Sequence, residues 1–121
     1  MRGIGFILLL MAVSGCARAQ PSMAGGKWAA ALHDPDARVR KKAAFTLGNI
    51  GPSDAAVLPA LVGALKDADP GVRCQAILAL LKYGPDAKQA VPALSEVHEK
   101  DRDSKVRAYA ARALEKLQGE P

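Results

Sequence analysis

Residues 34–40 read DPDARVR, residues 67–73 read DADPGVR and residues 101–107 read DRDSKVR, each fitting D-x-D-x-x-V-R. Paired carboxylates beside a guanidinium are groups that could hold a divalent cation or a phosphoryl group. Three evenly spaced copies, each at a helix start, argue against a single active site, which needs its groups to converge. The remaining reactive side chains are scattered. His33 and His98 each close a first helix beside Asp34 and Glu99, where a cation suits the negative end of the helix dipole. No H-x-x-x-H or C-x-x-C spacing offers a metal site. Ser53, Ser95 and Ser104 lie at caps or helix surfaces, outside any G-x-S-x-G frame. No glycine loop cradles phosphate. Cys74 is the sole thiol expected in the mature fold, at a position expected to face solvent, without a strong activating neighbour. These residues imply neither an enzyme nor a cofactor.

The elements that carry them repeat. Asp34, Asp67 and Asp101 stand 33 and 34 residues apart, and the flanking positions keep the same register. Ala43, Ala76 and Ala110 correspond, as do Leu47, Leu80 and Leu114, then Ile50, Tyr83 and Leu117. Upstream, LPAL at 58–61 matches VPAL at 91–94. Each unit reads as two helices. In the second unit the first helix follows Gly51-Pro52, with Ser53 as N-cap and Asp54 in its first turn. Pro59 falls inside that helix and is expected to bend it. Asp69 caps the second helix, Pro70 occupies its first position, and Gly84-Pro85 stops it.

On the second helix of each unit the apolar positions fall at i, i+4, i+8 and i+11, one face of a helix. The stripes are Val39, Ala43, Leu47 and Ile50, then Val72, Ala76, Leu80 and Tyr83, then Val106, Ala110, Leu114 and Leu117. One helix pair cannot bury such a stripe, but stacked pairs can. Half of the 121 residues are apolar and only 4% aromatic, a composition suited to helices packed closely on alanine and leucine. The fold expected is all-α, a short α-solenoid of three antiparallel helix pairs.

A two-helix unit of this length, with a proline in the first helix and D…VR between the helices, resembles HEAT repeats. It is most similar to the short subtype named after phycobilisome lyases. The residues that carry the resemblance are Pro59 and Pro92, the three aspartates, and Val39-Arg40, Val72-Arg73 and Val106-Arg107. Unit one has Gly26 where the proline would stand, which suits an atypical terminal repeat. The resemblance implies a right-handed superhelix whose second helices line the concave side. It also implies a structural ladder of Asp34, Arg40, Asp67, Arg73, Asp101 and Arg107 joining neighbouring units. Some lyase relatives attach bilin pigments, and a ligand- or chromophore-binding role stands as an alternative.

The N-terminus has its own signature. Arg2 precedes the uncharged stretch Ile4 to Val13, too short to span a bilayer but suited to a signal-peptide core. Val13-Ser14-Gly15-Cys16 then resembles the bacterial lipobox, whose cysteine receives diacylglycerol before cleavage. A second cleavage frame, Ala17-Arg18-Ala19, would instead release a soluble product. The division expected is a signal peptide at 1–15 (alternatively 1–19), a flexible tether at 16–26, and a repeat domain at 27–119. Its units lie near 27–51, 52–84 and 85–119. Cys16 is the lipidation site, and Ala17, in place of an aspartate, points to the outer membrane. Secretion or a soluble periplasmic protein is the alternative.

Opposite the apolar stripe, unit one places Arg38, Lys41, Lys42, Phe45 and Asn49. Unit two places Gly71, Cys74, Gln75, Leu78 and Lys82 there, and unit three Lys105, Ala108, Tyr109, Arg112 and Lys116. Seven of these fifteen residues are basic and none is acidic, although the whole chain carries only +5. The pattern predicts either a solvated charged face or a basic groove with apolar anchors, receiving an acidic protein segment or another anionic ligand. Nucleic acid fits less well, because the charge excess is modest. The function expected is an exported binding or scaffold module in the bacterial envelope, touching membrane only through its lipid. A regulatory or chaperone subunit of an envelope enzyme is the alternative. The partly polar last helix leaves self-association open.

Overall fold

A computed structural model describes residues 20–52 and 55–119 of the chain. Three helix pairs follow one another: α1 (Gln20–Ala31) with α2 (Ala37–Ile50), α3 (Val57–Ala64) with α4 (Pro70–Tyr83), and α5 (Val91–Lys100) with α6 (Ser104–Gly119). A 3-10 segment, Gly84–Ala90, leads into α5. No strand occurs among the described residues. The all-α solenoid expected from the repeat is the fold the chain adopts. The signal-peptide segment, Cys16, Ser53 and Asp54 lie outside the described residues.

The stripes explain the stacking. Val72, Ala76, Leu80 and Tyr83 are buried, as are Val106, Ala110, Leu114 and Leu117. Ala43 and Leu47 of α2 are buried too, whereas Ile50, at the edge of the stack, is 38% exposed. A single core runs from Leu32 to Leu117 through all three units. The units join chiefly through their second helices, since α4 packs against α2 on one side and α6 on the other. Gly48 makes the first contact close: a Cβ there would come within 3.0 Å of the Ala79 Cβ and 3.1 Å of its Cα. Full burial of a leucine such as Leu47 contributes roughly 2 kcal/mol, so the stripes dominate the adhesion between units.

Turn chemistry sets the helix ends. Asp69 accepts hydrogen bonds from the amides of Gly71 and Val72, and Pro70 holds the first position of α4, as its sequence predicts. Gly51 and Gly84 end α2 and α4 at φ 88° and 61°, a region that glycine enters without a Cβ clash.

Two expectations change. The tether read at 16–26 is helical from Gln20 onward, because α1 begins there. Pro21 sits in the first turn, where a missing N–H costs no helical bond, and Ala29 and Leu32 anchor the helix in the core. Pro59 does not lie deep inside its helix. α3 starts at Val57, so the proline sits in the first turn and needs no bend. Pro92 takes the matching place in α5.

Candidate partner-binding face

The D-x-D carboxylates divide their work between the two aspartates. In each turn the first aspartate accepts the amide of the second, at 2.9 Å for Asp34–Asp36, Asp67–Asp69 and Asp101–Asp103. The second caps the following helix: Asp36 takes the Arg38 amide, Asp69 that of Gly71, and Asp103 that of Lys105. The first aspartate is also the receptor for the arginine of the preceding unit. Arg40 reaches Asp67 through Nε at 2.8 Å and Nη2 at 3.1 Å. Arg73 grips Asp101 in the same way at 2.8 and 2.9 Å. The third nitrogen of each fork donates to a backbone carbonyl of its own turn, Asp34 O for Arg40 and Asp67 O for Arg73, both at 2.8 Å.

Burial opposes the charge on Asp101, but the Arg73 hydrogen bonds, the Asp103 amide and the nearby guanidinium groups outweigh it. The carboxyl therefore stays below its ordinary pKa. For Arg40, the hydrogen bond to Asp67 holds the guanidinium above its already high value. Bidentate, charge-assisted pairs fix orientation as well as contact. They dictate how one unit sits on the next.

None of the fifteen positions opposite the stripe is buried. Arg38, Lys41, Lys42, Phe45 and Asn49 are exposed on α2, and Lys105, Arg112 and Lys116 are exposed on α6. The central unit is more enclosed. Gln75 and Leu78 are half-buried, Lys82 is exposed, and Tyr109 of α6 packs partly against the core. Phe45 is 52% exposed, an unusual state for a large apolar ring.

The pattern of HEAT repeats matches residues 27–117, three quarters of the chain. The chain belongs to the HEAT-repeat family. No curated protein matches it. HEAT repeats generally serve as scaffolds for protein–protein interaction.

Within this HEAT stack three features escape a reading of the sequence. Lys82 is not a free cation of the face: its Nζ donates to Asn49 Oδ1 at 2.8 Å and lies 5.3 Å from the Phe45 ring centroid. It ties α4 to α2 across a separation of 33 residues, which is the repeat length, so the spacing was a signal. Tyr83, read as a stripe residue, also donates its buried hydroxyl to the Leu47 carbonyl at 2.6 Å. Cys74 is half-buried rather than facing solvent, because α4 is flanked by helices on both sides. Burial raises its thiol pKa, which suits an inert packing residue.

On the ladder edge, an open cleft of ≈ 850 Å³ separates the α3–α4 turn from α5 and the turn that follows it. Lys66, Lys100 and Arg102 line it together with Glu96 and Asp103, so it has no dominant sign. His98 ends α5 with its Nδ1 3.4 Å from the Arg107 carbonyl oxygen.

Proposed function

We propose that this HEAT protein is a non-enzymatic scaffold whose second-helix face receives an acidic segment of a protein partner. The observation that carries the reading is the face itself. Lys41, Lys42, Lys105, Arg112 and Lys116 are exposed on two helices, none of the fifteen positions is acidic although Glu115 is exposed beside Lys116, and Phe45 and Leu78 supply apolar contact. Such a surface steers an acidic partner in and then buries an apolar side chain. The cleft on the ladder edge, with charges of both signs, lacks that selectivity. Arg38 contributes less than its position suggests, because it is already paired with Asp36 at 3.1 Å.

The finer reading places the scaffold in a bacterial envelope, exported by the segment ending at Gly15 and anchored through lipid on Cys16. The apolar stretch and the VSGC sequence support it. No helix of the described residues is long and apolar enough to cross a membrane. The partner contact is tested by photo-crosslinking in cells from a photoreactive residue at position 112, with position 66 in the ladder-edge cleft as control. Capture of an acidic protein from 112 alone is expected. Equal capture from both positions removes the face from the account.

A further inference from the structure

The ladder pairs Arg40 and Arg73 with the aspartate of the next unit, and among the described residues it leaves two unmatched halves. Arg107 donates Nη1 to the Asp101 carbonyl, as Arg40 and Arg73 do to theirs, which holds its fork in the ladder orientation. No carboxylate meets the other edge of that fork among the described residues. At the opposite end, the Asp34 carboxylate accepts its own turn amide but meets no arginine among the described residues.

The two ends match at more than this pair. Inside the stack, each contact has a counterpart at the ends, found by moving one repeat along. Gly48 lies against Ala79 and the Lys82 stem; the counterparts are Glu115 facing Thr46 and Asn49, an acceptor facing the Asn49 amide, since the Thr46 hydroxyl already donates to the Lys42 carbonyl. Lys41 lies against Gly71, whose lack of a side chain makes room for it. There the counterparts are Ala108 and Arg38, with the small residue now on the other partner. Tyr83 covers Leu47, and its counterpart Ile50 is the apolar residue left 38% exposed at the edge.

We propose that a second copy of this chain stacks on the first in ladder register, Arg107 of one copy gripping Asp34 of the next. The contact joins unlike surfaces, so it does not close into a dimer but propagates head to tail. It uses the ends of the solenoid and, of the second-helix face, only Arg38, Asn49 and Ala108; none of the cations Lys41, Lys42, Lys105, Arg112 and Lys116 is among its contacts, so it stands independently of the partner reading. Polar ends keep the association weak and salt-sensitive, since exposed ion pairs contribute little individually.

The test is sedimentation of the chain in the form in which it accumulates in cells, over a rising concentration series. The weight-average mass of the wild type should climb past that of a dimer. Asp34→Arg and Arg107→Asp should each remain monomeric, because each sets like charges against one another. An equimolar mixture of the two should regain association, because the introduced aspartate of one variant then meets the introduced arginine of the other. Thermal melting checks that each variant folds. A wild type that stays monomeric, variants that associate as the wild type does, or folded variants whose mixture does not assemble would each overturn the proposal.

Discussion

The guanidinium of Arg73 lies edge-on to the carboxylate of Asp101, with donor–acceptor distances of 2.8 and 2.9 Å, and their side chains are only 14% and 7% exposed. The pair spans the joint between the second and third units, while the same arginine holds the backbone of its own turn through Asp67 O. It works as a joint, not as a reactive site. HEAT units that share an apolar stripe could slide along it, and a directional pair of this kind fixes the register.

Removal of one partner should therefore cost more than removal of both. Arg73→Leu leaves the Asp101 charge enclosed without its cation, and about 2–4 kcal/mol of stability should be lost. With Asp101→Asn added, part of that loss should return. A double-mutant cycle by chemical denaturation measures the coupling, expected at about 1–3 kcal/mol. Additive single effects would mean that the two side chains do not act together.

Acid should weaken the same joint. The folded pKa of Asp101 lies below the ordinary carboxyl value of 3.8, so folding favours the ionised form. The resulting stability is present above the ordinary value and is lost as pH falls through the lowered one. Midpoints of urea unfolding should hold level above about pH 5 and fall steeply below about pH 4. In Asp101→Asn the starting stability should be lower and the acid decline shallower.

Anchoring should depend on one thiol. Labelled palmitate should enter the wild-type chain in a bacterial host and be absent from Cys16→Ala. That variant should move from the membrane to the soluble fraction if the Ala17-Arg18-Ala19 frame is used instead. Equal labelling of both would exclude Cys16 as the acceptor.

Much of this architecture is written in period and punctuation. The repeat of 33 and 34 residues placed Asp67 and Asp101 in equivalent turns, and burial along Val72, Ala76, Leu80 and Tyr83 follows the stripe read from spacing alone. The start of α3 was less legible. Proline marks a helix interior or a first turn equally well, and only the position of Val57 relative to the core decides between them. The extent of α1 was hidden for a similar reason: Pro21, Gly25 and Gly26 resemble a linker, while the burial of Ala29 and Leu32 comes from tertiary packing, chiefly of α1 on α2. At the candidate face, helical geometry located the basic positions but not their pairing. That Lys82 bonds Asn49 and covers Phe45 depends on how close α2 and α4 lie, which Gly48 and Ala79 determine.

The central claim is that the exposed cations of α2 and α6 capture a partner. Its most direct test is the affinity of the protein crosslinked at position 112 for the wild type and for the triple variant Lys42→Glu, Lys105→Glu, Arg112→Glu, with melting temperature as a control for folding. Binding to the wild type should weaken with added salt, and the variant should lose about tenfold or more in affinity at unchanged stability. An affinity equal to that of the wild type, in a variant that melts normally, would contradict the account.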